Sequence, residues 1–232
     1  MSLVDYATAR QRGATPRTQR SWQIQPGLWL AWAVMLLALM AAFAPGLFTH
    51  YSPTQGVPGA QRIAPQAAYW LGTDQLGRDL FTRIVYGASQ SLAAAFAAVA
   101  MGLIGGTTLG VLAGAVGGRT ENTLMRLVDV LLSIPSLLLS LSVLILLGFG
   151  TVHAALAVGI ASIASFARLA RGEVVRVRRS EYVEAAYGSG GSFWQVLWRH
   201  ILPNSLTAVI AFAALQFGQA ILALSTLSFL GY

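Results

Sequence analysis

Five apolar runs, separated by shorter polar stretches that hold nearly all the charge, constrain this chain more than any other feature. They lie at about 27–48, 91–116, 124–147, 152–167 and 206–230. A hydrocarbon core of about 30 Å is crossed by about 20 helical residues. Backbone inside lipid must satisfy its own hydrogen bonds, so repeated runs of this kind resolve as helices packed side by side. The expectation is an all-α, polytopic transmembrane helical bundle of about five spans. Composition agrees: 56% of residues are hydrophobic and 10% charged, against roughly 25% charged in soluble domains. The first run starts too late and runs too long for a cleaved signal peptide.

All 15 basic residues are arginine. Without lysine the chain has neither a P-loop nor a Schiff-base nucleophile, so it is not its own nucleotide motor. Cysteine is absent too, which excludes thiolate metal sites. His50, His153 and His200 fall in separate segments with no metal-binding spacing, and no serine sits in a Gly-x-Ser-x-Gly frame. No catalytic, cofactor-binding or metal residue is expected, and the chain reads as non-enzymatic.

The net charge of +7 follows membrane topology rather than nucleic-acid binding. With the N-terminus cytoplasmic, four arginines fall in the 1–26 tail, two are Arg119 and Arg126, and six lie between Arg168 and Arg199. Only Arg62, Arg78 and Arg83 fall outside. Positive charge accumulates on the cytoplasmic side, which favours this orientation. The organisation is then a basic tail (1–26), a first transmembrane helix (27–48), and an extracytoplasmic loop with an interfacial helix (49–87). A transmembrane domain (88–232) follows, with a cytoplasmic loop at 168–204. The interfacial helix is expected because Leu80, Phe81, Ile84 and Val85 share one face opposite Arg78, Asp79 and Arg83.

Within the spans, Gly102, Gly106, Gly110 and Gly114 recur every four residues and predict close helix packing. Asp129 lies three residues after Arg126, a spacing that predicts a local ion pair. Pro135, between Ser133 and Ser136, should kink its span, with the serines re-satisfying freed carbonyls. The polar candidates for a solute path are Ser136, Ser140, Gln216 and Gln219, beside Ser133, Ser162, Ser165, Ser225, Thr226 and Ser228. None is charged, which suits a neutral or zwitterionic solute.

The cytoplasmic loop is unlike the spans around it. Strong helix formers from Glu181 to Tyr187 precede Gly188, Gly190 and Gly191, which allow the positive φ of a chain reversal. Phe193, Val196, Leu197 and Ile201 then repeat at helical spacing beside Trp194 and Trp198, and Pro203 should close that element. Two short amphipathic helices set at an angle predict either a docking element or an interfacial one.

Four motifs carry a resemblance. Glu184-Ala185-Ala186, then Gly190, then Arg199-His-Ile-Leu-Pro203-Asn resembles the EAA loop in membrane subunits of binding-protein-dependent ABC importers. Leu71-Gly72-Thr-Asp74-Gln-Leu-Gly77-Arg78-Asp79 is similar to a segment of the dipeptide, oligopeptide and nickel branch. Arg126-Leu-Val-Asp129 through Pro135, and Leu227-Ser-Phe-Leu-Gly231, complete the set in order. The resemblance implies an inner-membrane permease with the type I importer fold, moving di- or oligopeptides, nickel or metal chelates. It implies that Glu184, Ala185, Ala186, Gly190, Arg199 and Pro203 couple to separate ATPase subunits, which carry ATP and Mg. The implied partners also include a second permease and an extracytoplasmic solute-binding protein, in a bacterial inner membrane.

The family's sixth span is expected after Gly231, whereas the sequence stops at Tyr232, so a shortened or truncated permease is anticipated. A free-standing secondary transporter or channel is the rival reading. It calls for buried carboxylates or inverted repeats, of which the spans offer only Asp129.

Overall fold

The computed structural model describes residues 26–231; residues 1–25 of the basic tail and Tyr232 lie outside them. Among the described residues there is no β-strand, only two isolated bridges. The chain divides at Ala38/Leu39 into two units. Helix α1 (Pro26–Phe43) is apolar on every side. The helices after it are α2 (Leu80–Val116), α3 (Gly118–Ser133), α4 (Ser136–Leu147), α5 (Thr151–Arg178), α6 (Glu181–Gly188), α7 (Phe193–Val196) and α8 (Leu202–Phe229). Four helical stretches are long and apolar enough to cross a bilayer, and the bent pair of α3 and α4 makes a fifth candidate.

Helices α2 and α5 form the centre of the bundle. The small residues of α2 let the two backbones approach, since lipid supplies no hydrophobic drive for association. A Cβ on Gly106 would lie 2.4 Å from the Ile163 carbonyl oxygen, and one on Gly110 would lie 2.4 Å from that of Ala167. At Gly114 it would meet the Val174 side chain at 2.8 Å. Phe166 of α5 is fully buried and packs edge to face on Phe212 of α8, with ring centroids 5.1 Å apart.

Two elements differ from expectation. The amphipathic turns before Gly87 are not a separate surface helix, because Asp79 caps them as the start of α2, accepting from the Thr82 N–H at 2.8 Å. Thr82 and Val85, rather than Ile84, face inward. The kink expected at Pro135 is a complete break, with α3 and α4 meeting at 93°. Ile134, forced out of the helical region by the following proline, is extended at φ −91° and ψ 129°. Ser133 Oγ donates to the Val130 carbonyl at 2.7 Å and satisfies part of the exposed helix end.

The segment ahead of α2 is tied together by Asp74. Its carboxylate accepts from the backbone N–H groups of Leu76 and Arg78, from Arg78 Nε at 2.7 Å and from Arg83 Nη1 at 2.7 Å. Partial desolvation raises its pKa, but these hydrogen bonds and the Arg78 charge outweigh that effect and hold it at about 2. Gly72 and Gly77 sit at φ +77° and +74° against the carbonyls of Ile63 and Val57, where a side chain would fit neither the backbone nor the space. Asp79 and Thr82 continue the network to Thr49, whose Oγ1 lies 2.5 Å from that of Thr82.

Candidate functional site

A cavity of about 580 Å³ opens between α2, α4, α5 and α8. Ser136, Ser140, Gln216 and Gln219 all line it, together with Ser162, Ser165 and Thr226. Ser133, Ser225 and Ser228 are not among its lining residues. The break at Pro135 is what turns Ser136 and Ser140 toward α5 and α8. Ser140 and Ser162 spend their hydroxyl protons on the carbonyls of Ser136 and Gly159, so toward a solute they offer oxygen lone pairs. The side-chain amides of Gln216 and Gln219 make no hydrogen bond with the described residues, which leaves both free to donate and accept. Apolar walls from Ala98, Val99, Val158 and Phe212 complete a lining that carries no ionisable group. Phe212 and Ala98 had no signal in the sequence, because apolar residues in a span read alike whether they face lipid, protein or a cavity.

The second surface is built by α6 and α7. Val183, Val196, Leu197 and Ile201 are buried against Ala115 of α2 and Val174 and Val177 of α5, which seats the loop on the ends of the two central helices. Glu184 and Ala185 point away from that cluster and are exposed, while Ala186 packs against it. Among the three loop glycines, only Gly190 takes a positive φ, +88°. Its N–H and that of Gly191 return to the carbonyls of Tyr187 and Ala186 and end α6. Trp194 and Trp198 are 66% and 67% exposed, so they cover no core of this chain.

Pro203 does not close this element. The helix runs on through it into α8, with a π-turn at Leu197–Ile201 in which the Leu202 N–H bonds the Leu197 carbonyl. The wider turn makes room for the proline ring, which would clash with the carbonyl four residues back. Asn204 Nδ2 and Ser205 Oγ then satisfy the carbonyls of His200 and Ile201, at 2.7 and 2.8 Å. Arg199 is exposed within the π-turn.

The local pairing expected for Asp129 is replaced by a tertiary one. Asp129 pairs with Arg168 of α5 instead of Arg126, and one turn or more away Glu121 pairs with Arg171. A helix neighbour at i−3 competes poorly when a facing helix presents a guanidinium at shorter reach. Next to this seam a cleft of about 540 Å³ is lined by Glu184, Glu121, Arg171, Arg178 and Arg179, with Arg178 Nη1 donating to the carbonyls of Gly114 and Ala115. Glu184 itself forms no ion pair with the described residues.

Comparison with known proteins adds two findings. The family described as "Binding-protein-dependent transport system inner membrane component" matches residues 106–232. The chain is 43% identical over 198 residues to the probable D,D-dipeptide transport system permease protein DdpC of Escherichia coli K12, covering 85% of this chain and 66% of that one. It is 39% identical over 198 residues to the glutathione transport system permease protein GsiD of Pectobacterium atrosepticum, with 85% and 66% covered. To the dipeptide transport system permease protein DppC of Alkalihalophilus pseudofirmus it is 42% identical over 193 residues, with 83% and 63% covered. The chain therefore spans just under two thirds of the length of these relatives.

Proposed function

Because the chain belongs to the family of binding-protein-dependent transport system inner membrane components, the permeases of ABC importers, we propose that it forms part of the path by which a short peptide crosses the membrane. The observation that carries this reading is the cavity at Ser136, Ser140, Gln216 and Gln219, a ring of uncharged hydroxyls and amides with apolar walls. Such groups match the donors and acceptors of a peptide backbone and bind a zwitterion without trapping it. Nickel ligation calls for imidazole, carboxylate or thiolate, which this lining lacks, so nickel would travel here only inside a chelate.

In this reading α6 docks on a separate ATPase subunit through the exposed face of Glu184 and Ala185, and Gly190 sets the angle of the docking surface. ATP and Mg bind on that subunit. A second permease closes the open side of the cavity, and a solute-binding protein delivers the peptide from the side of the Asp74 segment, with the N-terminus cytoplasmic. The names of the relatives, dipeptide and glutathione permeases, support the solute class. Uptake of a radiolabelled dipeptide by cells carrying Gln216→Leu with Gln219→Leu tests it. Loss of uptake with unchanged membrane abundance is expected, and wild-type uptake in the double variant would remove the cavity from the path.

A further inference from the structure

The seam between α3 and α5 combines smooth packing with two charged rungs. Val128 of α3 sits on Ala164 and Ala167 of α5. Met125, Leu131 and Leu132 of α3 pack around that contact, and the alanines opposite offer few ridges for them to interlock with. The register comes from the rungs. Arg171 donates to Glu121 Oε1 through Nε at 2.6 Å and again through Nη2, and Arg168 Nη2 donates to Asp129. Asp129 and Arg168 are 57% and 58% exposed, and exposed ion pairs add little to stability. The Glu121–Arg171 rung is the better shielded, with Glu121 19% exposed and held by two guanidinium N–H groups, and it fixes where α3 lies along α5, with Asp129–Arg168 as a second point of contact.

What lies at the two ends of α3 and α5 gives that position a use. At the C-terminal end of α5, Val174 and Val177 share one buried cluster with Val183 of α6, so the docking surface and the end of α5 move together. At the C-terminal end of α3, the extended Ile134 and Pro135 lead straight into α4, whose Ser136 and Ser140 wall the cavity. The geometry points to Glu121, Asp129, Arg168 and Arg171 as positioning residues that carry displacement of the α6 surface, through α3, to the α4 wall of the solute cavity. The inference rests on the transport reading above.

The test uses the assembled transporter, this chain with the ATPase and permease that co-purify with it, in proteoliposomes, and reads dipeptide uptake per ATP hydrolysed. Single reversals, Asp129→Arg and Glu121→Arg, are expected to lower that ratio by about tenfold while hydrolysis and assembly persist. Paired swaps, Asp129→Arg with Arg168→Asp and Glu121→Arg with Arg171→Glu, are expected to restore it to within about twofold, the signature of direct coupling in a double-mutant cycle. A ratio unchanged in the single reversals, or unrestored in the swaps, overturns the inference. Should the reversals not assemble, Asp129→Asn and Glu121→Gln keep the shape, lose the charge and carry the same expectation. A wild-type complex that hydrolyses ATP without moving the dipeptide overturns the transport reading itself, a result distinct from a variant defect.

Discussion

At the scale of single residues, the glycines of α2 differ in what they face: Gly106 and Gly110 meet a backbone carbonyl, Gly102, Gly105 and Gly114 meet side chains, and Gly87 meets nothing. Gly106→Ala places a methyl 2.4 Å from the Ile163 carbonyl, and since α5 has no room to recede, a loss of about 1–3 kcal/mol is expected. Gly87, earlier in the same helix, has nothing within 4 Å, so Gly87→Ala should stabilise by about 0.5–1 kcal/mol through helix propensity alone. Thermal unfolding of the two variants in detergent checks the contrast. Asp74 supplies a pH prediction. Its pKa is held at about 2 in the folded chain, below the ordinary 3.8, so its stabilisation is complete above pH 3.8 and disappears as the pH falls toward 2. Fluorescence of Trp70, which packs at a tilt against Phe81, should stay constant from pH 7 to about 4 and change below that. Asp74→Asn should remove the acid transition, and a wild-type transition already complete at pH 5 would contradict the assignment.

At the scale of elements, the joint between α3 and α4 decides whether the cavity has a fourth wall. Proline is disruptive here in two ways: it lacks an N–H and it excludes the preceding residue from the helical region. Pro135→Ala removes both constraints and allows Ile134 to resume helical geometry. Spin labels at exposed Leu127 and Leu146 should move apart as the 93° bend opens, and dipeptide uptake should fall several-fold as Ser136 and Ser140 leave the cavity. Labels at an unchanged separation would place the cause of the bend in tertiary contacts of α4 with α5 instead. The π-turn before α8 is the complementary case, in which a helix accommodates its proline by widening and so stays continuous from the α7 end of the loop to the cavity.

At the scale of the whole molecule, the proposed docking surface on α6 and the cavity lie at different levels of one bundle, joined by α5 and α8. Glu184→Arg and Gly190→Pro are each expected to reduce uptake to background while the chain remains in the membrane. Proline cannot take the φ of +88° found at Gly190, and reversed charge at Glu184 removes the carboxylate from the exposed face of α6 and sets a guanidinium beside Arg171, Arg178 and Arg179 in the cleft. Immunoblotting of membranes beside the uptake assay separates lost coupling from lost protein. The absence of cysteine makes orientation directly measurable. Gln55→Cys should react with an impermeant maleimide in intact cells, and Ser189→Cys only after lysis; the reverse pattern would invert the topology.

The bundle and its candidate spans were legible from the residues alone, because a bilayer allows a long apolar run few alternatives to a helix. The sequence also marked Gly106 and Gly110 as packing sites and Ser136, Ser140, Gln216 and Gln219 as polar outliers, since spacing and polarity are local properties. That those four polar residues share one cavity emerges from helix packing, because their convergence depends on a 93° break that a proline permits but does not specify. The same holds for Asp129. Its charge was visible at once, but its partner was Arg168, 39 residues away, rather than the neighbour at i−3. Pro203 likewise read as a stop and became part of a continuous helix, because Asn204 and Ser205 satisfy carbonyls in the π-turn that precedes it. Periodicity follows from the chain's own geometry, whereas pairing is decided by whichever group a neighbouring helix brings nearer.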